Sequence, residues 1–342
     1  MELYTRRLGK SNIKVSAMGM GCFAIGGSFK NKDGQIYAYG NVNDNESLET
    51  IHKALEIGIN LFDTAEAYGH GHSEEVLGQA LKEIRDDVVI ATKFRSVYDP
   101  KTQQNVEKSV ILEKLRESVT KSLKRLKTDY IDIYQLHNAR QDSSSALLIR
   151  DCLEELVDEG KIRYYGWSTD DVSRAEQFAK SKHCTAIQYV LTITRINTPM
   201  AKLCEENNLA GIIRSPFASG TLTGKYTKDT KRGPDHMLSK TDFTTERYIK
   251  TFQVLDQLKE LLTEQGRTLV QGILGYIWAK NDRAIPIPGA KTVDQITENA
   301  KSLELGPISQ RIMGEIDSIF SELQLDFSYD NFAYYKEDKK DG

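Results

Sequence analysis

Residues Ile59 to Lys93 read INLFDTAEAYGHGHSEEVLGQALKEIRDDVVIATK. Two apolar runs, Ile59–Thr64 and Val88–Lys93, enclose a segment from Ser73 to Lys82 with helical spacing and with Glu74 and Glu75 in its first turn, where acids suit the helix dipole. The runs are continuous rather than alternating, as strands buried on both faces are. Working outward, the same unit recurs. Upstream lie a buried run Ser16–Phe23 and a helix Asp44–Ile57 capped by Asn43 or Asp44, with a polar loop Ser28–Asn43 between them. Downstream, the strands Tyr130–His137, Tyr164–Ser168, Ala186–Val190 and Gly211–Ser215 alternate with helices Val110–Leu126, Ser144–Glu159, Val172–Lys180 and Pro199–Asn207. An irregular stretch from Pro216 to about Phe243 precedes helices Glu246–Thr263 and Thr268–Ala279. The last β run, Ala284–Gly289, is followed by helices Val293–Ser302 and Ser309–Leu323. Eight β runs in βα units predict an α/β chain of the (β/α)8 TIM-barrel class, with an N-terminal β-hairpin (Tyr4–Val15) and an extra C-terminal helix. A doubly wound open sheet is the weaker alternative. No linker breaks the series, so residues 1–342 are expected to form one domain, with a loose tail from about Ser328.

A formal net charge of −3 supplies no general attraction for nucleic acid or anionic lipid. No apolar run has the length of a membrane span, and Met1–Arg7 lacks the apolar region of a signal peptide, so a cytoplasmic protein is expected. Cys22, Cys152, Cys184 and Cys204 are widely spaced and suggest neither a disulfide framework nor a zinc site. His70 and His72, one glycine apart in a loop, read as loop residues, and no metal is expected. Oligomeric state is not written in these features.

In a barrel of this class, reacting groups project from the C-terminal ends of the strands. Asp63, Lys93 and His137 end the second, third and fourth runs, and Tyr68 follows in the loop after Asp63. Taken singly, these are a loop cap, a solvated strand end, a core histidine and a packed aromatic. Together they suit carbonyl reduction. A phenol of pKa about 10 is a weak acid at neutral pH unless its anion is stabilised. A buried lysine held charged by an aspartate supplies that stabilisation. Tyr68 then protonates the substrate oxygen as hydride arrives, and His137 orients the carbonyl.

The motifs Asp63-Thr64-Ala65 with Tyr68-Gly69, Ser73 to Gly78, Thr92-Lys93, Asp132 to His137, Ser215-Pro216 with Gly220 to Lys225, and Ile287 to Ala290 with Glu298-Asn299 resemble those of the aldo-keto reductases, in order over nearly the whole chain. The resemblance implies a (β/α)8 barrel, metal-free hydride transfer and a nicotinamide cofactor, NADPH with NADH possible, extended across the C-terminal face. It assigns Tyr68 as general acid/base, supported by Lys93, Asp63 and His137. It implies that Ser168 and Gln188 hold the nicotinamide carboxamide. Ser215, Phe217, Gly220, Leu222 and Lys225 would wrap the pyrophosphate, and Gly289, Lys291, Thr292, Gln295, Glu298 and Asn299 would receive the rest of the nucleotide. Arg214 stands where many members carry a tyrosine stacked on the nicotinamide, and Gln295 where an arginine often grips the 2′-phosphate. The expected substrate is a small carbonyl compound, in a pocket walled by Phe23, the loop Ser28–Gly40, Tyr98, Asn138–Arg140 and the tail aromatics Tyr329, Phe332, Tyr334 and Tyr335. The competing reading is a nicotinamide-nucleotide-binding regulatory subunit of the same fold with little turnover.

Overall fold

From Ile59 onward, each buried run seen in the sequence becomes a strand whose two faces meet different neighbours. The computed structural model describes residues 4–30, 36–95 and 107–323. In chain order the strands are β1 (Thr5–Arg7), β2 (Lys14–Ser16), β3 (Met20–Gly21), β4 (Phe29–Lys30), β5 (Ile36–Tyr37), β6 (Leu61–Asp63), β7 (Val89–Phe94), β8 (Ile131–Leu136), β9 (Ile162–Ser168), β10 (Cys184–Val190), β11 (Ala210–Arg214) and β12 (Ala284–Pro286). The helices are α1 (Asp44–Glu56), α2 (His72–Leu81), α3 (Lys108–Leu126), α4 (Ser143–Asp158), α5 (Val172–Ala179), α6 (Thr198–Glu206), α7 (Glu246–Thr263), α8 (Leu269–Lys280), α9 (Val293–Leu305) and α10 (Gln310–Glu322).

Eight strands form one parallel sheet in the order β12-β11-β10-β9-β8-β7-β6-β3. The sheet closes on itself. Gly19 N donates to Pro286 O at 2.9 Å and Gly21 N to Pro288 O at 3.0 Å, and Gly21 bridges Gly289 in parallel. The predicted barrel is therefore present. Outward side chains such as Phe62, Ile90, Tyr134, Trp167 and Ile187 pack under the helices. Inward ones, Leu61, Val89, Ala91, Ile133, Ala186, Ile212 and Ile285, form a second apolar cluster with Leu8, Ile13 and Val15. Those three belong to the antiparallel β1-β2 hairpin and its turn, which closes the N-terminal mouth; Thr185 Oγ1 donates to Leu8 O at 2.6 Å. The C-terminal mouth is left for chemistry.

Two local expectations are corrected. The run Ser16–Phe23 is no continuous strand: β2 ends at Ser16, β3 spans two residues, and Cys22–Ile25 turn into a 3-10 helix. The glycines Gly19 and Gly21 lie against the backbone of the last strand, where a Cβ on Gly21 would stand 2.6 Å from Ile287 O. The stretch Ser28–Asn43 is not all loop, since Phe29–Lys30 and Ile36–Tyr37 pair as β4 and β5. Glu74 and Glu75 stand in the first turn of α2, as expected, and Glu74 has a second role there. It is fully buried, accepting from Thr92 Oγ1 at 2.6 Å and Arg125 Nε at 2.7 Å, which clamps α2 to β7 and α3. The extra C-terminal helix is present as α10, packed against α7 and α8. Among the described residues no helix is long and apolar enough to cross a membrane.

Candidate active site

Side chains alternate along a strand, so the inward column of each barrel strand can be followed upward from its apolar base. Leu61 is succeeded by Asp63, Ala91 by Lys93, Ile133 by Gln135, Ala186 by Gln188 and Ile212 by Arg214. The lower barrel is hydrocarbon and the upper layer is a polar set. There Lys93, with no exposed surface, donates from Nζ to Asp63 Oδ1 at 2.5 Å, Thr64 O at 2.7 Å and Tyr68 Oη at 3.1 Å. Asp63 Oδ2 accepts from Gln188 Nε2 at 2.8 Å and Gln135 Nε2 at 3.2 Å. Both carboxylate oxygens are thus satisfied, as a buried anion requires.

Tyr68 lies above this set, at the start of a 3-10 turn (Tyr68–Gly71). Its ring packs edge-on to Phe23 at 5.1 Å and to His137 at 5.8 Å between centroids. The four groups predicted from the strand ends meet at one place. The turn depends on Gly69, which has φ +60° and lies so close to Gly26 that a Cβ would stand 1.7 Å from Gly26 O. Gly69→Ala is expected to destabilise the fold by more than about 1 kcal/mol, because a left-handed residue with a Cβ is strained and the contact has no room. Urea unfolding measures that loss, and kcat should fall with it as the neighbouring phenol is displaced.

Electrostatics differ from the sequence-based expectation in one respect. Burial pushes the Tyr68 phenol above its ordinary pKa, Asp63 adds to this, and the opposing pull of Lys93 and Arg214 does not overcome it. Tyr68 is protonated at neutral pH. For Lys93, burial disfavours the charge, but Asp63 and Tyr68 outweigh it and the ammonium titrates above its usual range. His137 is driven well below the usual histidine range, first by burial and then by Lys93, Arg214 and Arg95. It is neutral at pH 7. A histidine whose pKa falls on folding binds fewer protons folded than unfolded, so stability declines as pH drops below about 6.5. His137→Gln should remove up to about 1.4 kcal/mol per pH unit from that slope, read from urea unfolding between about pH 5 and 6.5.

A cavity of about 760 Å³ opens above the polar layer, lined by Asp63, Tyr68, His137, Ser168, Gln188, Arg214, Ser215 and Gly289 among others. Phe23, Asn138 and Ala139 wall it as predicted, with Phe29, Tyr37 and Tyr39 from the β4-β5 hairpin. Tyr98, residues 31–35 of the predicted loop wall, and the tail aromatics Tyr329, Phe332, Tyr334 and Tyr335 lie outside the described residues. Ser168 Oγ makes no hydrogen bond among the described residues, and Gln188 commits its amide nitrogen to Asp63 and Gln135, which leaves its carbonyl oxygen as an acceptor. A donor and an acceptor on adjacent strands fit a carboxamide. Beside them, Ser215, Ala218, Ser219 and Gly220 all adopt positive φ, the backbone form that makes anion-receiving concavities.

The other predicted nucleotide residues divide. Phe217 and Leu222 are buried in the core, and Lys225 is exposed. Thr292 caps α9 by accepting from Gln295 N, and Gln295 Oε1 accepts from Lys291 N at 2.8 Å. Lys291 Nζ donates to Asn41 O at 2.6 Å and Tyr39 O at 3.3 Å, tethering the segment after β5 to the start of α9. Glu298 O accepts from Gln271 at 3.0 Å, and Asn299 is buried. His72 pairs with Asp44 and His70 packs on Phe29. Burial and Asp63 hold the Cys22 thiol protonated. Sequence reasoning missed Gln135 and Asp170. Gln135 was signalled by its place two residues before His137, on the same inward column. Asp170, buried at the end of β9 and paired with Arg214 and Arg195, carried no local signal.

The profile of the Aldo/keto reductase family matches residues 17–321. The NADH-specific methylglyoxal reductase of Escherichia coli strain K12 is 31% identical over 87% of this chain and 93% of its own. A putative voltage-gated potassium channel subunit beta of Schizosaccharomyces pombe is 30% identical over 95% of each chain. The solved glycerol dehydrogenase AKR11B4 of Gluconobacter oxydans is 25% identical and superimposes with a TM-score of 0.77, over 94% of this chain and 96% of that one.

Proposed function

The chain belongs to the aldo/keto reductase family, and from that premise we propose that it reduces aldehydes or ketones to alcohols, with NADPH as the hydride source and NADH also accepted. The observation that carries this reading is the chain of contacts Asp63–Lys93–Tyr68, with Nζ 2.5 Å from the carboxylate and 3.1 Å from the phenol, opening beside His137 into one cavity.

The nicotinamide, when bound, supplies hydride to the carbonyl carbon. Tyr68, protonated at neutral pH, gives its proton to the carbonyl oxygen. Lys93 is already in place to receive the phenolate charge that results, and Asp63 keeps the lysine protonated. Gln135 and Gln188 hold the second carboxylate oxygen, so the aspartate does not rotate toward the substrate. His137, being neutral, donates from one ring nitrogen to the carbonyl oxygen and orients it without adding a cation. Ser168 and the Gln188 carbonyl orient the carboxamide, the left-handed loop at Ser215–Gly220 receives the diphosphate, and Thr292, Gln295 and Lys291 bound the nucleotide end.

The experiment is to mix the protein with NADPH and a panel of small aldehydes and ketones and follow loss of the reduced-nucleotide absorbance. Turnover with several aldehydes is expected. Tight nucleotide binding without oxidation across the panel would favour a regulatory subunit, the reading that the resemblance to the potassium channel subunit keeps in play.

A further inference from the structure

Among the described residues, the side chains that carry charge at neutral pH and line the catalytic cavity are Asp63, Arg95 and Arg214. Asp63 is 2% exposed and bound to Lys93, and Arg214 is engaged by Asp170. That leaves Arg95, exposed just after β7, whose guanidinium makes no ion pair or hydrogen bond among the described residues. The carboxylate of Glu66 is occupied by other donors, the Arg95 backbone N at 2.7 Å and Ser118 Oγ at 2.8 Å. These contacts fix the main chain of Arg95 and leave its side chain to the cavity. Arg95 continues the inward column of β7 after Ala91 and Lys93, a rise of about 7 Å above the lysine for two residues of strand. Lys93 is in register with Gln135 of β8, and His137 N donates to Phe94 O at 2.9 Å, so Arg95 and His137 stand side by side on the next level. Next to burial, Lys93 and Arg214, Arg95 helps to hold His137 neutral. In the sheet order β7 lies four strands from β11, the diametric position in a barrel of eight. Arg95 thus faces the carbonyl position from the side away from Arg214 and the loop assigned to the diphosphate.

We propose that Arg95 binds the carboxylate of an oxo-acid substrate whose carbonyl lies at Tyr68 and His137, which makes short aldehyde acids the preferred substrate class. The assignment deepens the reductase reading given above and rests on it. Phe23, Phe29 and Tyr37 wall the same cavity and suit the carbon chain between the two polar ends. A guanidinium fork meets a carboxylate in two parallel hydrogen bonds and cancels its single charge. A phosphate ester carries about −1.5 to −2 at neutral pH, more than one arginine balances, and the other guanidinium of the cavity is committed to Asp170.

Calorimetry of the NADPH-saturated full chain with 4-hydroxybutanoate, the reduction product of 4-oxobutanoate, reads this contact without turnover, since both ligands are already reduced. Saturable binding is expected, and 1-butanol over the same concentrations should give none. Arg95→Met should weaken the binding about tenfold, as loss of hydrogen bonds to a charged group does, and Arg95→Lys should restore part of it. Circular dichroism and thermal unfolding confirm that the variants are folded. Kinetics supply a second readout. The kcat/KM ratio of 4-oxobutanoate to butanal should be about ten or more in the parent, fall toward one in Arg95→Met, and shrink as ionic strength rises. No saturable binding by the parent, binding that folded Arg95→Met retains, or a parental ratio near one would each overturn the proposal. So would a larger Arg95-dependent preference for glyceraldehyde 3-phosphate over glyceraldehyde, which would make the ligand a phosphate. The two readings fail separately. Reduction of butanal with no carboxylate preference defeats this assignment alone. Arg95-dependent binding of 4-hydroxybutanoate by a protein that reduces no aldehyde defeats the reductase reading and leaves the carboxylate site standing.

Discussion

Tyr68→Phe is expected to lower kcat by about 10²- to 10⁴-fold, the usual contribution of a positioned general acid. NADPH affinity should stay within about a factor of two, a shift well under 1 kcal/mol. The phenyl ring keeps its edge contacts with Phe23 and His137 and loses only the hydroxyl that Lys93 reaches at 3.1 Å. A hydroxyl that delivers a proton matters in the transition state alone, so the loss should fall on kcat and on kcat/KM alike. Stopped-flow single turnovers and fluorescence titration of NADPH give the two quantities. Near-parental turnover in the variant would remove Tyr68 from the role of acid, and a large rise in the NADPH dissociation constant would make it a binding residue.

Lys93→Met carries the second large effect, and here stability moves along with rate. Lys93 and Asp63 are 0% and 2% exposed, and their contact at 2.5 Å is the sole charge pairing of that carboxylate among the described residues. Removing the ammonium leaves a buried anion with only two amide donors, Gln135 and Gln188. Such broken buried pairs cost about 3–5 kcal/mol. Lys93→Met should therefore unfold at markedly lower urea concentration and show almost no reduction. Adding Asp63→Asn removes the stranded charge, so the double variant should recover much of the stability and none of the activity. If the single and double variants unfold alike, the pair contributes little to the fold, and the account of the polar layer fails. The design separates two roles of one lysine: it neutralises a buried carboxylate, and it faces the phenol.

Both effects hang on a layer that is only half visible in the chain. Asp63, Lys93 and His137 could be placed together because each ends an apolar run, and parallel barrels put strand ends on one face. Tyr68 followed from its distance to Asp63. The barrel itself was legible for the same reason: continuous buried runs spaced by helix-length segments leave few other ways to pack. The first β run was misread. Ser16–Phe23 looks uniformly buried, yet burial there comes from barrel closure against Pro286–Gly289 and from a 3-10 turn under Tyr68, two contacts made with residues far away in the chain.

From residue order alone came the architecture and the identity of the groups at the strand ends, because hydrophobic periodicity is local and each strand carries its own. Depth, pairing and the sign of charge effects came from the folded arrangement. Gln135 and Gln188 converge on Asp63 only once β8 and β10 curve into the same barrel. Burial turns Tyr68 toward the protonated form although a cation lies beside it. Lys291 spans to the carbonyls of Tyr39 and Asn41, a contact 250 residues apart in the chain for the latter. Desolvation and through-space pairing depend on how the strands close around a point, and no stretch of chain carries that closure by itself.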